Sequence, residues 1–362
     1  MNVAASDRAC DDCLRRTDLI GALAGWLDIE WRKREAPARV LALSDERLLD
    51  ACGWTPIRRR YDAFEPDEAR GAIARARLTA ICRCDDSYPP RLRDLADPPG
   101  VLHVAGSPEA VGLEDAVAVV GARRATQYGL TVAHDIGRGL SAAGVSVVSG
   151  LALGVDASAH SGALEGNAPP VAVLAGGADR PYPASKRHLH AAVRAAGAVV
   201  SEMPPGFGIH RWAFVARNRL IAALARVVVV VEATERSGSL TTADLAAELG
   251  RTVAAVPGRI TCATASGTNG LLRDGAVLVR HVHDVLDALA ELTGAQYEMR
   301  GAGASLEAGL RQLLEEIGAG HSTLPMLVAR GLEARVVLAG LGELESRGLV
   351  RRGFGGRYER VP

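Results

Sequence analysis

The sequence predicts an α/β protein: an extended Rossmann-like, doubly wound parallel sheet with an N-terminal helical domain and a C-terminal winged-helix-like domain. Three observations carry this. Short valine-rich runs recur at residues 117–120, 145–148, 171–174, 198–200, 227–231, 253–256 and 277–279. They are continuously apolar rather than alternating, as strands buried on both faces are. Helical patterns separate them, which is the βα alternation of a doubly wound sheet. The last sixty or so residues instead order themselves as helix, helix, helix and hairpin.

In chain order, Leu19, Ile20, Leu23, Trp26 and Leu27 repeat at helical spacing before Pro37 breaks the pattern. Ser44 reads as a helix N-cap and Gly53 as the stop after Leu48 and Leu49. This helical domain is expected over residues 1–80. Tyr88-Pro89-Pro90 and Asp97-Pro98-Pro99-Gly100 are turn chemistry leading into a central domain over residues 81–292. Between its first two strands, Leu130, Ala133, Ile136 and Leu140 line one helical face that Gly144 ends, forming the crossover that parallel strands require. The run from Arg226 to Glu232, with five valines between, is the clearest strand. A linker is expected at 293–303 and the winged-helix-like domain at 304–362. Its amphipathic stretch carries Leu306, Leu310, Leu313, Leu314 and Ile317, and a turn at Gly353-Phe354-Gly355-Gly356 divides two short strands.

Composition narrows the function. Among 362 residues, 42 Lys+Arg balance 42 Asp+Glu, and 48% apolar content excludes a disordered chain. Aromatics are only 4% against 40 glycines, so close backbone turns matter more than ring-filled pockets. No apolar run approaches the ~20 residues that span a bilayer, and acids occupy the N-terminal stretch, so the expectation is a cytoplasmic protein with no membrane partner. Cys10-x-x-Cys13 and Cys82-x-Cys84 have the spacing of metal half-sites, but neither is followed by a matching His/Cys pair. The six cysteines are read as reduced, incidental thiols, with no metal, over a zinc site built from the two pairs.

Ligands of an open parallel sheet bind beyond the strands' carboxyl ends. There the sequence places Gly121-Ala122-Arg123-Arg124, Ser149-Gly150-Leu151-Ala152, Ala175-Gly176-Gly177 and Ser237-Gly238-Ser239. Glycine lets backbone N–H groups approach an anion, and a helix N-terminus adds a favourable dipole, so phosphate is the natural guest. Glycine after a strand is also just a tight turn, and only convergence of several loops favours a site. Residues 208–220 add Arg211, Arg217 and Arg219 with no acid, and Trp212 or Phe214 offers a ring face for a base, core packing being the alternative for each. Gly121 does not begin G-x-G-x-x-G, Walker and nucleophile-elbow motifs are lacking, and no cofactor or catalytic residue is expected. Asp156 and His160, at i,i+4, read as a capping carboxylate and a satisfied histidine, and His281 and His283 as surface residues.

Taken in order, the segments Tyr88-Pro89, VAVVGARRATQYG, VVSGLALGVDASAHSGAL, VLAGGADRPYP, SEMPPG, FVARNRLIAALA, VVVVEATERSGSLTTADLAAELGR and VPGRITCATASGTNGLLRDGA resemble the DNA-processing protein A (DprA/Smf) family from Tyr88 to Val279. The resemblance implies a non-enzymatic, dimeric single-stranded-DNA-binding protein of natural transformation and recombination, one that protects incoming strands and promotes loading of the RecA recombinase. It also implies a SAM-like N-terminal domain. Carried over, it implies DNA contacts at Gly121, Arg123, Ser149, Gly150, Phe214, Arg217, Asn218 and Arg219, with Ser237, Gly238 and Ser239 in the same pocket. The sequence departs from the family at Pro169-Pro170, where a basic residue and Thr are usual, at Lys186 and at Val215; Arg187 is the neighbouring basic candidate. The alternatives are a nucleotide or nucleoside-phosphate hydrolase, whose P-G-G-x-G-T loop is missing around Pro257-Gly258, and a duplex-DNA regulator using Arg347, Arg351, Arg352 and Arg357.

Overall fold

Valines buried on both sides set the frame of this computed structural model, which describes residues 9–32, 40–298, 308–331, 333–346 and 349–360. The chain divides into two units, Met1–Tyr297 and Glu298–Pro362. In the first, helices α1 (Asp11–Ala22), α2 (Ala24–Arg32), α3 (Asp45–Cys52), α4 (Thr55–Asp62) and α5 (Pro66–Arg75) lead the chain. Ser44 caps α3 by accepting from the Arg47 N–H, and Gly53 ends it at φ 65°, as the sequence predicts.

The sheet is built from β1 (Thr79–Cys82), β2 (Val101–Gly106), β3 (Ala116–Val120), β4 (Ser146–Ser149), β5 (Val171–Val173), β6 (Ala198–Ser201), β7 (Val227–Val230), β8 (Thr252–Ala255) and β9 (Val277–Leu278). Their spatial order is β1-β2-β6-β5-β4-β3-β7-β8-β9. From β6 to β9 every pairing is parallel, whereas β2 runs antiparallel to both β1 and β6. The reversed strand β2, with the edge strand β1 beyond it, is the departure from the predicted all-parallel sheet. T-A-I-C is short and not β-branched throughout, so nothing in it announces a strand. The expected boundary at residue 80 falls inside β1, because the helical segment feeds straight into the sheet edge.

Helices α6 (Gln127–Ala142), α7 (Val155–Ala163), α8 (Arg187–Ala196), α9 (Arg211–Leu224), α10 (Gly238–Glu248), α11 (Ser266–Arg273) and α12 (Val282–Thr293) cover the sheet. The valines of β7 are fully buried, each stabilising the fold by roughly 1.5–3 kcal/mol. The chain winds outward from β3 through β4, β5 and β6, then crosses back to β7 beside β3, so the winding reverses at the β3/β7 pair. Trp212 is core rather than a base platform: it is fully buried and its Nε1–H donates to the Ala24 carbonyl at 3.2 Å, locking α9 onto α2.

The second unit contains α13 (Ala308–Gly318), α14 (Leu324–Ala329), α15 (Ala334–Ser346) and the antiparallel pair β10 (Val350–Arg352) and β11 (Tyr358–Arg360). Leu313, Leu314, Ile317, Leu327, Val337, Leu341, Leu344 and Val350 form its own core, giving the predicted helix–helix–helix–hairpin order. Arg351 is paired with Glu359 at 3.0 Å. Arg347, Leu306 and residues 299–303 of the expected linker lie outside the described residues.

Candidate functional site

A small cavity of about 70 Å³ opens over the carboxyl ends of β3, β4 and β5, lined among others by Arg123, Gly150, Gly176, Tyr182, Phe214 and Arg217. Four residues selected from sequence, Arg123, Gly150, Phe214 and Arg217, therefore converge although they come from three separate segments. Arg123 is exposed at the lip, its guanidinium 4.6 Å from the centroid of Phe214. That is cation–π geometry, and it leaves N–H donors facing solvent while one ring face carries the charge. Tyr182 packs against Phe214 at 5.7 Å and is 42% exposed. The sequence reading missed Tyr182; its signal was the Tyr-Pro pair after the third glycine loop, a ring delivered to the strand ends.

Behind the lip lies Arg217, 5% exposed. Its Nη1 donates to the Val173 carbonyl at 2.7 Å, and its Nε is buried without a hydrogen-bond partner. Burial pulls this guanidinium below its ordinary value, to about 10, with the Asp156 charge opposing and Arg123 reinforcing the shift. It is cationic at neutral pH, and an unsatisfied donor in a dry wall favours an anion.

The glycine loop works differently from the predicted phosphate cradle. The Gly150 N–H donates to Asp156 Oδ2 at 3.1 Å, so this amide is satisfied inside the protein. Burial pushes the Asp156 carboxyl up, and the Arg217 charge and the Gly150 and Ala152 N–H groups pull it back. Gly150 is required for another reason: a Cβ there would occupy the place of the Arg217 guanidinium. Leu151 follows at φ 55°, a left-handed backbone in a fully buried leucine, a strained turn held by its surroundings.

Other selected residues do not line the cavity. Arg219, 2% exposed, spends all five donors inside the fold: Nε on Asp97 Oδ2, Nη1 on Glu202 Oε1 and the Ala216 carbonyl, Nη2 on Glu202 Oε2 and the Asp97 carbonyl. It is a buried ion-pair centre with no donor left for phosphate. Ser149 is fully buried and donates to the Val119 carbonyl at 2.6 Å. A Cβ on Gly121 would meet Val155 at 2.7 Å and the Glu232 carbonyl at 3.0 Å, so this glycine serves close packing of the β3 end against the start of α7 and the segment after β7. Ser237 caps α10 through the Ser239 N–H, and Asn218 Nδ2 donates to the exposed Gly238 carbonyl at 3.2 Å, tying α9 to that helix start. Arg187 is exposed at the start of α8. Pro169-Pro170 precede β5 and so stand at the pole of the sheet opposite the cavity, where their substitution leaves the cavity intact.

At the β3/β7 reversal, where such folds often hold a nucleotide, Glu232 ties the strand end to the start of α6, and a cavity of about 640 Å³ opens beside it toward β8, lined among others by Thr126, Tyr128, Pro257 and Cys262. Glu232 is buried, its carboxylate accepts from the Thr126 N–H at 2.8 Å and the Thr126 hydroxyl at 2.6 Å, and its carbonyl accepts from the Ala122 N–H at 2.7 Å. Its carboxylate thereby sits at the N-terminus of α6. His160 is fully buried; desolvation lowers it to about 4, with the Ser149 backbone opposing the shift.

These features define a class: Rossmann-like proteins whose strand-end pocket is lined by guanidinium groups and rings in place of a dinucleotide glycine loop. Within it, the chain belongs to the DNA recombination-mediator protein A family, whose model matches residues 79–290. A Mycobacterium tuberculosis relative is 44% identical over 239 residues, 65% of this chain and 61% of that one, so the match spans less than two thirds of that protein. The DNA processing protein DprA of Streptococcus pneumoniae is 37% identical over 223 residues, 62% of this chain and 78% of that one. The solved structure of a Streptococcus pneumoniae DNA processing protein A superposes with TM-score 0.62 and 31% identity, over 76% of this chain and 95% of that one. A Helicobacter pylori DNA processing protein A, whose structure is described for its single-stranded-DNA binding mode, superposes at 0.54 and 28% identity, over 60% and 98%. No helix among the described residues is long and apolar enough to cross a membrane.

Proposed function

We propose that the chain binds single-stranded DNA through the cavity bounded by Arg123, Phe214, Tyr182 and Arg217, and that it acts without turning over a substrate. The observation that carries the reading is the exposed Arg123 guanidinium held over Phe214 with the unsatisfied Arg217 behind it. One phosphate bridges the two guanidiniums, and a neighbouring base packs on the Phe214–Tyr182 pair, a face every base can use, so sequence preference is weak. Among the residues first selected, Gly150 supports Arg217, while Asn218 and the Ser237–Ser239 turn form a flanking backbone contact.

The family extends the reading to a role in natural transformation: the chain works as a cytoplasmic homodimer that protects incoming strands and promotes RecA loading. The hydrolase alternative is less favoured, because the P-G-G-x-G-T loop it requires is missing around Pro257-Gly258. Anisotropy of labelled oligo-dT and of matching duplex across a salt series tests the reading. Tight duplex binding with none to the single strand refutes it. Sedimentation tests the dimer, and RecA filament growth on strands precoated with single-strand-binding protein tests loading.

A further inference from the structure

Four cysteines that the sequence scatters over 75 residues meet at one edge of the sheet. The Sγ atoms of Cys10, Cys13, Cys82 and Cys84 all lie within 4.8 Å of one another. Cys13 Sγ and Cys84 Sγ are 3.8 Å apart. A tetrahedron with zinc–sulfur bonds of about 2.3 Å has edges of about 3.8 Å, so this separation is that of two ligands on one metal. It is far beyond the ~2.05 Å of a disulfide. The pairs are each rigidly presented: Cys10 is the residue preceding α1 and Cys13 lies in its first turn, while Cys82 ends β1 and Cys84 follows in the turn.

We propose that these four side chains form a structural tetrathiolate zinc site. Binding converts the four thiols to thiolates and releases their protons, and the Zn²⁺ charge offsets the repulsion of the assembled sulfurs. Three of the four are wholly or partly buried and Cys84 is exposed, giving a metal that can be loaded and then shielded. The site would pin α1 to the β1 turn. A Cβ on Gly100 would sit 3.2 Å from the Cys13 carbonyl, and the Arg83 N–H donates to the Gly100 carbonyl, so helix start, turn and β2 already pack together.

The spacing marks each pair as a half-site, and the fold brings the second pair from 69 or more residues away. The test is elemental analysis of the full chain purified without chelator or affinity tag, with cobalt exchange of the same protein. The expected result is about one zinc per chain, a cobalt form with thiolate charge-transfer and intense tetrahedral visible bands, and four thiols protected from Ellman's reagent until a mercurial releases zinc. Cys82→Ser/Cys84→Ser should lose the metal; if that variant does not fold, the wild-type stoichiometry and cobalt spectrum decide alone. Absence of bound metal after zinc-supplemented expression, iron in its place, or an intact mass reporting disulfides among these cysteines would overturn the proposal.

Discussion

Removing Arg123 separates electrostatic phosphate capture from folding more cleanly than any other change in this molecule. The side chain is exposed and its recorded contact is the face of Phe214 at 4.6 Å, so Arg123→Ala should alter stability by no more than about 0.5 kcal/mol. Its loss from the bound state is larger. A charge-assisted contact contributes roughly 1.5–3 kcal/mol, and the ring already orders the guanidinium, so little rotamer entropy is lost on binding. At the lower end for a solvent-facing group, affinity for oligo-dT should fall about tenfold. One lost phosphate contact should also reduce the slope of log K against log salt by about 0.7. Arg123→Lys keeps the charge and therefore the slope, but loses the planar stack and part of the affinity. The assay is fluorescence anisotropy at five or so salt concentrations, with urea unfolding of each variant. An unchanged slope in Arg123→Ala, with the fold intact, would refute the assignment of a phosphate to this residue.

Gly150→Ala should weaken DNA binding as strongly as Arg217→Ala, because a Cβ displaces the Arg217 guanidinium, and both should be read by the same anisotropy series. Arg219→Ala should instead strand Asp97 and Glu202 in the core and cost about 3–5 kcal/mol by urea unfolding; in whatever fraction folds, the salt slope should match wild type. Stability should fall as pH drops from about 6.5 to 4. Desolvation holds buried His103 and His160 at about 4, so the unfolded chain takes up protons the native one refuses, up to about 3 kcal/mol for each histidine. Asp97 acts in the opposite sense: burial raises it to about 6, so between pH 6 and 4 the native state gains protons first and offsets part of the loss. Unfolding midpoints of His103→Gln and His160→Gln across that range should show a shallower acid decline, and an unchanged decline would count against the histidines as its source.

Much of the frame was legible because it rests on local chemistry. Continuous valine runs identify doubly buried strands, Ser44 and Gly53 bound a helix, and the Arg123 and Arg217 segments follow strands or carry charge without acids nearby. Strands β1 and β2 were not legible, since pairing partners far along the chain, rather than propensity, make them strands. Arg217 and Arg219 illustrate the limit at the site. They are two residues apart on α9 with the same chemistry, and helical geometry turns them to different sides: one toward Val173 and the cavity, the other into Asp97 and Glu202.

The sequence by itself determined the doubly wound class, the family and the set of segments that carry charge to the strand ends. Tertiary structure decided which charges remain available. It neutralised Arg219, turned the Gly150 amide inward to Asp156, engaged Glu232 with Thr126, added Tyr182 to the pocket lip and gathered four cysteines from two distant pairs. The reason is that propensity and periodicity are properties of neighbours along the chain. Whether a guanidinium meets a carboxylate or a solvent-filled cavity depends on groups a hundred or more residues away, as the Arg219–Asp97 pair does.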